Sequence, residues 1–189
     1  MEQELIFIAN LPNYFDNFEK QKEIIERYKP IFVLSDDMEN NNVETDFDFN
    51  KIMKKNKISN MTSMTKVREL VKLCHKKEIK LIGIDFENFL IDRKLQIKIN
   101  KHQNLNEDEE KLIKELEYRR ENKHVKMIQK YLEISRHPIV VIINAKELKK
   151  RSLIRRSFRY YHLVYLSNSK GEIIFNPTRE RLNWKEEDF

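Results

Sequence analysis

The sequence predicts an α/β protein: a mostly parallel sheet of about four to six strands flanked by helices, with a C-terminal hairpin. Three observations predict it. Short, almost wholly apolar runs such as Leu5–Ala9, Ile31–Leu34, Leu81–Ile84 and Ile139–Ile143 read as strands covered on both faces. Between them lie stretches with apolar residues at helical spacing, long enough for the crossovers that parallel strands need. Near the end, Ser167-Asn168-Ser169-Lys170-Gly171 separates two β-prone runs, as in a hairpin.

Taken in order, Leu5–Ala9 is the first strand. Asp16 with Glu19 forms a capping box for a helix to Tyr28, with Phe18, Ile25 and Tyr28 on one face and Pro30 as its stop. Ile31–Leu34 follows as the second strand. Residues 37–60 are polar and rich in Asn and Lys, and read as a long loop with a short helix near Phe49–Lys55. Ser63 or Thr65 starts the next helix. Val67, Leu70, Val71 and Cys74 share its inner face, which makes Cys74 a core residue rather than a nucleophile. Leu81–Ile84 is the third strand. In 89–103 the alternation of Leu95, Ile97 and Ile99 favours an extended piece. Asn106 with Glu109 caps the longest helix, running to Ile134. Ile139–Ile143 is the fourth strand, Leu153–Tyr161 a short basic helix, and His162–Leu166 with Glu172–Phe175 the hairpin. From Pro177 the chain reads as a polar tail in which Leu182 and Trp184 tuck back.

The 189 residues suit one domain, 1–189, since no repeat and no Ser/Gly/Pro linker divides them. A hydrophobic share of 40% argues against global disorder. Cys74 is the only cysteine, so neither an intrachain disulfide nor a multi-cysteine zinc site can form, and a reducing, cytoplasmic location is expected. No run approaches the roughly 20 apolar residues of a membrane span, so no membrane partner is expected. The formal net charge of +6 points to an anionic partner, nucleic acid or a phosphate ligand. A protein partner or a homo-oligomer is left open. The chain contains no Walker loop, GxSxG, GxGxxG or HExxH, which leans the reading away from an enzyme.

Ligands of open parallel sheets gather beyond the carboxyl ends of the strands. Those ends carry Asp36 and Asp37, then Asp85 and Glu87, then Asn144 and Glu147. On the longest helix the stripe of Leu112, Leu116, Met127, Ile128 and Tyr131 is interrupted by Arg120 and His124, with Glu121 beside them. A charge on a core-facing stripe needs a partner, because an unpaired buried charge is costly. Asp36, Asp85 and Glu147 are the candidate partners, and also the candidate oxygen ligands of a divalent cation, Mg²⁺ or Mn²⁺. A separate basic segment holds Lys149, Lys150, Arg151, Arg155, Arg156 and Arg159, with Phe158, Tyr160 and Tyr161 available to stack on bases.

The order of these features resembles the TraB/ChaN/Tiki superfamily, which includes erythromycin-esterase-like proteins. Ala9-Asn10-Leu11-Pro12 stands where that family has a first Gly-x-x-His. The step from Lys20–Tyr28 through Pro30 to Asp36 is similar to its helix, proline, strand and acid. Gly83-Ile84-Asp85 looks like its next strand, Arg120-Glu121 matches its helix motif, and Asn144-Ala145-Lys146-Glu147 takes the place of the second Gly-x-x-His. Both motif histidines are replaced, by Pro12 and Glu147. The resemblance therefore implies a divergent member without the ancestral chemistry. A smaller resemblance sets Asp85-Phe86-Glu87-Asn88 beside the Asp-x-x-Asn motif of NYN/PIN-type ribonucleases. It implies metal-assisted phosphodiester hydrolysis, although the later strand ends lack the aspartates that chemistry needs.

Three functions follow as expectations. The first is a non-catalytic or degenerate α/β binding or regulatory protein. The second is a divalent-metal-dependent hydrolase or nuclease using strand-end carboxylates. The third is a nucleic-acid-binding protein acting through 149–159.

Overall fold

In a computed structural model of the chain, residues 4–10, 17–54, 64–86, 93–101, 103–148, 152–158, 160–169 and 172–181 are described. The apolar runs form β1 (Leu5–Asn10), β2 (Phe32–Ser35), β3 (Lys80–Gly83) and β4 (Ile139–Asn144), and the hairpin supplies β5 (Tyr160–Ser169) and β6 (Glu172–Arg181). They join in one sheet of order β3-β2-β4-β1-β5-β6. All neighbours are parallel except β5 and β6, so the structure has the predicted α/β class and the predicted hairpin.

Strand alternation sorts the core into two layers. Ile6, Ile8, Val33, Leu81, Val140 and Ile142 pack under α1 (Asn17–Tyr28), α2 (Asp46–Lys54) and α3 (Met64–Lys76). Leu5, Phe7, Leu34, Ile82, Val141 and Ile143 pack under α5 (Glu107–Ile134) and α6 (Leu153–Ser157). Cys74 is fully buried in the first layer, and burial pushes its thiol up to about 12. With only two glycines in the chain, helices close on other residues. Glu78, at φ 56°, ends α3 in a Schellman turn, its N–H donating to His75 O and that of Ile79 to Cys74 O.

Several expectations are corrected. The segment after β2 carries the expected short helix, as α2, but its first part is tied to the sheet. A 3₁₀ turn (Asp36–Met38) leads to Val43, which exchanges both backbone hydrogen bonds with Leu81 at 2.7 and 3.0 Å and so closes the outer edge of β3. Gly83 permits this close approach. A Cβ there would lie 2.7 and 2.8 Å from the backbone of Asn41 and closer still to Glu39 O. The extended piece expected around Leu95 is a helix, α4 (Arg93–Asn100). Leu95 is buried while Ile97 is exposed, so the alternation there marks no buried strand face. The basic helix is shorter than expected, because Tyr160 already begins β5, which pairs in parallel with β1. The expected tail is strand up to Arg181, with Pro177 opposite Val164. Proline is tolerated there because β6 ends the sheet. The Asp16 cap, the Ser63 start, Leu182 and Trp184 lie outside the described residues.

Candidate functional site at the carboxyl edge of the sheet

The chain leaves β1 through α1 toward β2 over one face, and leaves β4 through α6 toward β5 over the other. The neighbouring carboxyl ends of β1 and β4 therefore sit where connections diverge, the position that gathers ligands in open α/β sheets. Asn10 and Asn144 stand opposite each other there. Two acids cross over from the end of β2. Asp36 Oδ2 accepts the Asn144 backbone N–H at 2.8 Å, and Asp37 Oδ2 accepts from Asn10 Nδ2 at 2.9 Å.

Toward α5 the site becomes a closed ring of ion contacts. Asp85, fully buried just beyond β3, receives Arg120 Nε at 2.8 and 2.7 Å on its two oxygens and Nη2 at 2.5 Å. Arg120 Nη1 reaches Glu147 Oε1 at 2.8 Å. His124, one helical turn on, completes the circuit, with Nδ1 2.8 Å from Glu147 Oε2 and Nε2 3.4 Å from Asp85 Oδ1. Two carboxylates thus alternate with two cationic side chains. The two halves of the ring differ in quality. Asp85 and Arg120 are joined by directed hydrogen bonds, whereas Glu147 meets Arg120 and His124 as ion pairs at 2.8 Å.

The titration behaviour follows from this placement. Burial alone would raise the Asp85 carboxyl, but its contacts with His124 and Arg120 outweigh that and hold it below the usual carboxylate range. Burial opposes the charged form of His124, yet Asp85 and Glu147 carry its pKa up to about 9. Arg120 is likewise raised, its burial overcome by Asp85 and Glu147. At Asp36 the neighbouring charges are mostly of its own sign, and His124 offsets them only in part. Burial first, then Asp37 and Glu147, push its carboxyl well above the ordinary range.

Of the residues singled out from the sequence, Asp36, Asp37, Asp85, Arg120, His124, Asn144 and Glu147 meet at this edge. Glu121 is engaged with α6, its Oε2 accepting the Leu153 N–H at 2.9 Å in the first turn, and burial raises its carboxyl. Glu87 lies outside the described residues. Sequence reasoning missed Asn10 and Lys123. Lys123 Nζ bonds Asn40 Oδ1 and the Asp85 carbonyl and lies 4.2 Å over the Phe86 ring. Its signal was available: Lys123 lies one turn from Arg120 on the same helix, and Asn10 ends an apolar run as Asn144 does. Among the described residues no group of three or more His, Cys, Asp or Glu side chains is arranged to hold a metal ion. At Asp85 and Glu147 the counter-charge comes from Arg120 and His124.

Within the basic segment, one residue departs from the expected surface position. Arg155 is buried, donating through Nε to Tyr161 Oη at 2.9 Å and through Nη1 to Leu148 O at 3.4 Å. Tyr161 is itself buried, edge-on to Phe7 at 5.3 Å, and Phe158 packs in the same layer, so neither ring is free to stack on a base. Tyr161, held in β5 beside β1, supplies the partner that keeps Arg155 inward. Arg156 is exposed. Lys149, Lys150, Arg151 and Arg159 lie outside the described residues.

No protein-family model matches the chain, and no curated protein matches it. A solved structure described as "Bacterial protein toxins" is similar, with a TM-score of 0.53 and 9% identity over 94% of this chain and 36% of that one. This chain thus spans little more than a third of that polypeptide's length, and identity so low speaks to the fold alone. Among the described residues no helix is long and apolar enough to cross a membrane.

Proposed function

We propose that this is a non-catalytic α/β binding or regulatory protein, a degenerate form of a hydrolase-like fold. One observation carries the reading: Asp85, Arg120, Glu147 and His124, the densest set of ionisable side chains at this edge, neutralise one another in a ring. A general base should be unprotonated near its working pH, and a His124 pKa of about 9 keeps that imidazole charged at neutral pH. Asp85 and His124 are both fully buried, which closes them to a substrate. An arginine that stabilises a developing negative charge must be free to face it, and Arg120 is committed to two carboxylates. The replacement of both motif histidines, by Pro12 and Glu147, agrees with this reading of a TraB/ChaN/Tiki-like ancestry.

Among the described residues, the metal-dependent alternative gains no support from the donor arrangement. The nucleic-acid alternative loses Arg155, Phe158 and Tyr161 as surface groups. The test is turnover of ester and phosphodiester substrates with and without Mn²⁺ or Mg²⁺. The expected result is no rate above that of His124→Ala or Arg120→Ala. Turnover by the wild-type protein that both substitutions abolish overturns the proposal.

A further inference from the structure

We draw no further inference here: the strongest candidate, the carboxylates that Asp36 and Asp37 add beside the ion ring at the carboxyl edge of the sheet, belongs to the site already described, and no second observation points to a ligand there.

Discussion

The two faces of the sheet hold their helices by different means. On one face α1 and α3 dock through Ile24, Ile25, Val67, Leu70, Val71 and Cys74, with no buried charge among them. On the other, the C-terminal half of α5 docks through Val125, Ile128 and Tyr131, but one turn earlier the same helix is tied down by Arg120 and His124. Apolar contact is non-directional, and a helix held by it alone can slide or rotate at modest cost. A four-sided ion ring has one satisfactory arrangement, and it fixes α5 against the ends of β3 and β4 at once. The contrast suggests that the first face supplies burial while the second also supplies register. Well-packed apolar residues often match or exceed a buried ion pair in stability, so specificity is the better account of the ring.

The sharpest way to break the comparison is to remove one anion. Asp85→Ala leaves Arg120 and His124 sharing Glu147 in a buried setting, and a loss of about 3–5 kcal/mol in urea unfolding is expected. Leu70→Ala on the apolar face should cost about 2–5 kcal/mol through cavity formation, and that cost should not change between pH 6 and 10. A loss from Asp85→Ala no larger than a surface substitution's would sink the idea that the ring anchors α5.

Alkaline pH sharpens the same contrast. His124 is raised from 6.5 to about 9 in the folded protein. Its contribution is therefore fully present below about pH 6.5 and is lost as pH rises through about 9, a window of linkage worth on the order of 3 kcal/mol. Chemical denaturation across pH 6–10 should show wild-type stability falling, with a flatter profile for His124→Gln. Equal slopes for the two proteins would remove His124 from the ring's energetics.

A smaller effect separates the two neighbouring arginines of α6. Arg155→Ala should cost about 1.5–3 kcal/mol, since it removes a buried charge-assisted donor from the Tyr161 hydroxyl and the Leu148 carbonyl. Arg156→Ala, at an exposed position, should stay within about 0.5 kcal/mol. Thermal melts of the pair are enough to decide.

How much of this was legible depended on whether a residue's neighbours in sequence were also its neighbours in space. The apolar runs of β1 to β4 need no distant information, because a strand covered on both faces must be apolar throughout. The start of α5 was equally local. Asn106 accepts the Glu109 N–H at 2.8 Å and Glu109 accepts the Asn106 N–H at 3.0 Å, a box read directly from the spacing. Arg120 and His124 were legible as a demand, since charges on an apolar stripe must be answered, and their partners stood among the strand-end acids. What escaped was set by distant chain. Nothing near Leu95 says that helix wins over strand. Nothing near Val43 says that Leu81 will take it as an edge partner, and a glycine at position 83 is the sole trace of that approach. Arg155 reads as a solvated cation until Tyr161 is placed beside it by the parallel pairing of β5 with β1.

The two borders of the sheet are closed to newcomers by different devices. Beyond β3 the position is already taken by Val43. Within β6 itself stands Pro177, which has no N–H to offer. A strand seeking to extend the sheet from that side would meet a gap in the ladder of donors. Edge-to-edge pairing is thereby discouraged at Leu81 on one border and at Pro177 on the other.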